Sequence, residues 1–304
     1  MEMTLDLLKK MIASGQKHRI ILDTDTYNEV DDQFCLAYCM LAKDKIDLLS
    51  VNAAPFLNSR STSPADGMEQ SYNEIFKIMK LVDPNASIPV YRGSTSFLPD
   101  KNTPVESDAA DNIIRTVNES EEPVIIVAIG AITNVASALI KCPELAKKTA
   151  VVWLGGHALH YWHNYEFNLR QDIPAAQVIF DSGIPLVQVP CCGVCTEFRT
   201  SVSELKHNLS DKNALCDYLV NIVAGECDKL EKDGHAPSRI IWDVTAAAVL
   251  ICPENCNMVT IPRPIVTSDG LYATNTARPH YVYVRELNRD KIYGDLFSKL
   301  KKGI

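Results

Sequence analysis

Five short runs in this chain are apolar at almost every position, and each leads into a stretch whose apolar residues recur at helical spacing. The runs are HRIILD at 18–23, IDLLSVNAA at 46–54, PVIIVAIG at 123–130, AVVWLGG at 150–156 and IPLVQVP at 184–190. The helical patterns are QFCLAYCMLAK, MEQSYNEIFKIMKLV and NVASALI, then a segment starting about Pro174 and two more near 211–232 and 243–251. A strand with one wet face alternates apolar and polar residues, whereas a run that is apolar throughout is covered on both faces. The pattern predicts an α/β fold: one doubly wound, mostly parallel open sheet with helices on both faces, in a single domain over residues 1–304.

Ligands of such sheets bind beyond the carboxyl ends of the strands. That rule singles out Asp23 and Asp25, Asn58, Ile129 and Gly130, and Glu166 and Asn168. The polar loops at 58–67 and 94–108 are candidates to cover a pocket.

Composition narrows the picture. Of 304 residues, 46% are hydrophobic and 22% charged, the profile of a chain with a substantial core. A net charge of −8 without a basic block argues against a nucleic-acid partner. Residues 1–19 read as a short amphipathic helix, and no stretch of about 18 apolar residues occurs, so the expectation is a cytoplasmic protein without membrane contact. Ten cysteines are scattered, with one cluster, CCGVC at 191–195. Cys192 and Cys195 have the spacing of half a zinc site or a redox pair. Cys252 and Cys256 are wrongly spaced to complete a zinc ribbon, so Cys191, Cys192 and Cys195 are read as buried thiols.

The chemistry gathers in ILDTDTYNEVDD at 21–32, where Asp23, Asp25, Asp31 and Asp32 crowd around Glu29. Repulsion among so many anions costs stability unless a cation or ligand offsets it. Carboxylates are the hard oxygen donors that Ca²⁺ or Mg²⁺ prefers. A helix dipole would account for Asp31 and Asp32 but leaves the other two unexplained. In NYEFNLRQDIPAA at 164–176, Asp172 and Pro174 form a good helix start. Asn164, Glu166 and Asn168 alternate as a strand-like segment would to point one way, a face suited to hydroxyl groups, though a solvated loop edge reads the same. In RIIWDVTAAAVLI at 239–251, Asp243 is either a helix cap or a further ligand, and Trp242 is either core or a platform for a planar ligand.

Together these segments resemble the inosine-uridine preferring nucleoside hydrolases. The resemblance rests on the acidic motif at 23–32, VYRG at 90–93, AIGAITNVASAL at 128–139, WLGG at 153–156, EFNLRQDIPAA at 166–176 and WDVTAAAV at 242–249. It implies Ca²⁺-dependent hydrolysis of the N-glycosidic bond of ribonucleosides, in base salvage, by a homodimer or homotetramer. Carried onto this chain, it makes Asp25 the general base and a metal ligand. Asp32, Asp243 and the backbone carbonyl of Ile129 complete the ligands, with Asp23 standing behind them. Asp31, Asn58, Asn164, Glu166 and Asn168 would hold the ribose. Two features depart from the family pattern. The acidic motif is two residues longer than D-x-D-x-x-x-D-D, which could bring Glu29 into the site. Trp242 also stands where many members carry a histidine that protonates the base, and so resembles the purine-specific branch. Phe56, Tyr161, Trp162 and Tyr165 are candidates for a second stacking face, and His160 and His163 for a proton donor.

Two other classes compete. ILDTDT resembles the opening of haloacid-dehalogenase-like Mg²⁺ phosphatases, but the late Gly294-Asp295 lacks the second acid that family expects. A nucleoside- or sugar-binding protein would keep the pocket without turnover, yet binding alone needs no general base.

Overall fold

The computed structural model describes residues 2–303. Its main sheet has eight strands: β1 (His18–Thr24), β2 (Ile46–Ala53), β3 (Val90–Tyr91), β4 (Val124–Ala128), β5 (Thr149–Leu154), β6 (Leu186–Val189), β9 (Cys256–Pro262) and β12 (His280–Leu287). Two antiparallel ribbons flank it, β7 (Arg199–Ser201) with β8 (Ser238–Ile240) and β10 (Ile265–Val266) with β11 (Tyr272–Ala273). The order across the sheet is β3-β2-β1-β4-β5-β6-β12-β9. All neighbours are parallel except β12 and β9.

The apolar runs are apolar throughout because both sheet faces are covered. Ile20 and Leu22 of β1 join one core cluster with Phe34, Ile75, Leu219 and Leu250 from the helices, while Ile21 joins the other with Ile113, Val135 and Ile179. The same alternation divides Ile125 and Val127 from Val124 and Ile126 in β4. Strand order makes the site's position a consequence of topology. From β1 the chain winds outward through β2 to β3, then returns to lay β4 on the other side of β1 and continues through β5 to β6. Loops leaving β1 and β4 therefore part in opposite directions, and a crevice opens between the strand ends.

The expected helices are present at Leu5–Ser14, Asp32–Leu41, Pro64–Val82, Thr133–Lys141, Ile173–Asp181, Ala214–Lys232 and Val244–Ile251. The loop expected at 58–67 is cut short, because Ser63 caps the helix Pro64–Val82 by accepting from Asp66 N–H, with proline in the first turn. Strands β9 and β12 and the helix Arg289–Lys302 extend the architecture beyond the elements read from periodicity. That helix holds Asp295, whose carboxylate accepts from the Tyr38 hydroxyl and Lys299. No helix among the described residues is long and apolar enough to cross a membrane.

Candidate active site

The last residue but one of β1 is Asp23, which is fully buried between Asn52 of β2 and Ala128 of β4. Its Oδ2 accepts from Asn134 Nδ2 at 3.0 Å, and burial pushes the carboxyl up to about 7 against that hydrogen bond. Two residues on, Asp25 is 1% exposed, and neither carboxylate oxygen has a hydrogen-bond partner among the described residues. Burial, then the charges of Asp32 and Asp31, hold this carboxyl well above the usual carboxylate range. Gly130, just past β4, makes room for it: a Cβ there would lie 2.8 Å from Asp25 Oδ1.

The longer loop folds back on Asp25, with Asn28 N–H donating to the Asp25 carbonyl at 2.7 Å. Arg60 donates to the Glu29 carbonyl at 3.0 Å, Ser71 accepts from Tyr27 N–H, and the Glu29 carboxylate pairs with Arg239. Glu29 does line the cavity, but as half of an ion pair.

Asp31 and Asp243 stand at the N-termini of the helices Asp32–Leu41 and Val244–Ile251, and neither side chain makes a capping hydrogen bond. They meet Asp32 instead. One carboxylate oxygen from each of Asp31, Asp32 and Asp243 lies within 4.8 Å of the others, all three residues buried. Thr24 fixes Asp32 by donating to Oδ1 at 2.5 Å. Burial raises all three acids, Asp32 to about 6, with the charge of Glu29 adding at Asp31 and the neighbouring aspartates at Asp243. Among the described residues none of the three forms a salt bridge, and three buried carboxylates gathered in this way are a donor set for a divalent cation. This acidic group can hold a metal.

Beside it lies a cavity of about 190 Å³ lined by acids and amides on one hand (Asp31, Asp243, Glu166, Asn168) and aromatic rings on the other (Trp242, Tyr165). Glu166 and Asn168 do not belong to a strand, as their alternation suggested. Glu166 caps the short helix Phe167–Gln171, accepting from Asn168 and Leu169 N–H, and also from Gly156 N–H at 2.8 Å. Asn168 Nδ2 donates to the carbonyls of Ile129 and Leu154, each at 3.0 Å, which leaves its Oδ1 as the free acceptor. The Ile129 carbonyl retains a second lone pair.

Two expected sugar contacts lie elsewhere. Asn164 spends its amide on holding the loop, accepting from His157 N–H at 2.7 Å and donating to the Gly270 carbonyl at 2.7 Å. Asn58 donates to Asn28 Oδ1 at 2.6 Å, and it is Asn28 that lines the cavity. Of the candidate stacking residues, Phe56 is buried core, Trp162 is 82% exposed, Tyr161 packs on His157, and Tyr165 lines the cavity. Neither His160 nor His163 lines it, whereas His157 does. The cysteines are free; Cys191 and Cys195 are buried as expected, and Cys192 is half-buried at the cavity wall.

A profile of the family described as inosine-uridine preferring nucleoside hydrolase matches residues 20–294. The chain belongs to that family. Among nucleoside hydrolases of known sequence, it is similar to the pyrimidine-specific ribonucleoside hydrolase RihA of Escherichia coli O1:K1, 42% identical over 87 residues, 28% of each chain. The RihA of Citrobacter koseri is 43% identical over 95 residues, 30% of this chain and 29% of the relative. These matches thus span under a third of the curated relatives. Solved structures of nucleoside hydrolases agree in fold over nearly the whole length. A purine-preferring ribonucleoside hydrolase from Gardnerella vaginalis superposes with a TM-score of 0.75, at 20% identity over 93% of this chain and 98% of that one. An inosine-guanosine nucleoside hydrolase gives 0.76 at 17% identity over 95% and 100%.

Proposed function

We propose that this chain hydrolyses the N-glycosidic bond of ribonucleosides, giving ribose and free base, with Ca²⁺ as its cofactor. The observation that carries the reading is Asp25, a buried carboxylate with both oxygens unpartnered beside Asp31, Asp32 and Asp243. Asp25, Asp32, Asp243 and the Ile129 carbonyl would hold the ion, and Asp31 stands close enough to join them. Their hard oxygens in number suit Ca²⁺ better than softer metals. When bound, the ion supplies a water of lowered pKa and a charge that fixes vicinal hydroxyls.

The chain's own residues do the rest. Asp31 accepts from ribose hydroxyls and Asn168 does so at Oδ1, while Glu166, whose oxygens already accept from three backbone N–H groups and the Cys191 thiol, takes a ribose hydroxyl in place of the weak thiol donor. An anionic wall of carboxylates favours the positive charge that grows on the ribosyl group as the base departs. Asp25 takes the proton of the attacking water at a carboxylate oxygen, a task suited to an acid whose burial has made its anion more basic. Trp242 offers the planar base a stacking face, and Tyr165 a second aromatic wall. On that ground we favour purine nucleosides, although the relatives' names include both pyrimidine-specific and purine-preferring enzymes.

The test is chromatography of the purified protein incubated with inosine, adenosine, guanosine, uridine and cytidine. Free base is expected from the purine nucleosides first. Equal or faster release of uracil and cytosine would overturn the purine preference, and no base from any of the five would leave a nucleoside-binding protein.

A further inference from the structure

We propose that His157 serves the departing base, its Nε2–H donating a hydrogen bond to an acceptor atom of the leaving group. The inference rests on the hydrolase reading above. It starts from a gap: Trp242 presents an indole to the cavity rather than an imidazole, and neither His160 nor His163 lines it.

His157 lines the cavity and is 6% exposed, and its orientation and tautomer are both set by neighbours. Its backbone N–H is fixed by Asn164 Oδ1 at 2.7 Å, and its ring packs edge-on against Tyr161 and His163 with centroids 4.9 and 5.0 Å away. Nδ1 accepts from the backbone N–H of Cys192 at 3.2 Å. An acceptor nitrogen carries no proton, so the single proton of the neutral imidazole sits on Nε2. Burial, with the His163 charge second, lowers the imidazole to about 4, so the ring is neutral near pH 7. No atom of the described residues hydrogen-bonds to Nε2. The ring is thus a fixed neutral donor at the cavity wall, in the company of Trp242 and Tyr165, where a planar base fits once the sugar is held by the acids.

In the step itself, the bond from C1′ to the base nitrogen breaks with its electron pair passing to the base. The water oxygen bonds to C1′ and one water proton goes to Asp25. The base, anionic while Nε2–H holds it, takes a proton from solvent, and Asp25 later returns its own. A preorganised donor aimed at developing charge is the kind of group whose loss slows reactions by about 10²–10³.

The experiment compares two substrates that differ in their need for that donor, inosine and p-nitrophenyl riboside, whose leaving phenolate is stable unaided. His157→Phe keeps the aromatic packing without the donor and should cut kcat on inosine by about 10²-fold, leaving the nitrophenyl substrate within about threefold of wild type. His157→Gln, with an N–H near the Nε2 position, should recover part of the loss. Unchanged inosine turnover in His157→Phe would overturn the role, and so would equal loss on both substrates, which would mark the ring as structural. Wild-type protein that cleaves neither substrate would instead remove the hydrolase reading and this role with it.

Discussion

Buried carboxylates in folded proteins are nearly always hydrogen-bonded, and Asp25 is not. A side chain kept at such cost is kept for what it does when the site is loaded. Asp25→Asn should therefore reduce nucleoside turnover by about 10²–10⁴-fold, yet raise the melting temperature of the metal-stripped protein, because an amide removes a buried charge. A variant that is both active and less stable would show Asp25 to be structural. Trp242→Ala should weaken purine nucleosides by about 1 kcal/mol or more, the worth of one stacked base, and pyrimidine ones by less; kcat/KM for inosine against uridine decides. At this scale much was legible. Asp31 and Asp32 stand out in the acidic cluster, Asp243 ahead of an apolar helix, and Glu166 and Asn168 beyond an apolar run, and all gather at one place. Asn58 and Asn164 looked the same in sequence, but an amide spent on a neighbouring loop differs from a free one only in three dimensions. His157 gave no signal at all, since a histidine after two glycines reads as a loop residue until Cys192 N–H fixes its tautomer.

The elements around the site are tied by side chains rather than by packing alone. Asn134, in the helix Thr133–Lys141, donates to Asp23 at the end of β1 and to the Ala53 carbonyl at the end of β2, and accepts from Ser94 N–H. Asn134→Leu would leave several buried polar groups unsatisfied and should cost about 2 kcal/mol or more, read as a lower denaturant midpoint with unchanged slope. A loss of a few tenths would mean that the strand ends do not depend on it. The all-apolar strands announced themselves because a parallel sheet buried on both faces writes the same residue type at every position. β9 did not, being partly exposed along its length at the sheet margin. The five-residue helix Phe167–Gln171 is too short to show a period, which is why Glu166 and Asn168 read as a strand. The aspartates at two helix starts read in sequence as caps or as ligands, and in the structure neither side chain makes a capping bond.

Over the whole molecule, the sheet order brings acids from β1, its following helix and the helix Val244–Ile251 to the crevice where the chain reverses beside β1. The cluster makes the metal-free protein sensitive to pH. The folded-state values of Asp23, Asp25, Asp31, Asp32 and Asp243 are raised, so folding favours their protonated forms. Their contribution is present below the ordinary carboxylate range and is lost as pH rises through about 6 at Asp32 and about 7 at Asp23. Chelated protein should consequently melt at a lower temperature at pH 8 than at pH 5.5, and added Ca²⁺ should restore most of the difference at pH 8. A melting temperature that is flat across that range with chelator would mean that the acids are not held apart from water as described.

The most direct measurement follows free base released from inosine by protein stripped with chelator, then reloaded with Ca²⁺. Release should stop on stripping and return on reloading, and reloaded Asp25→Asn should stay slow. Release that continues unabated in the stripped protein would mean that the acidic cluster does not act through a bound metal.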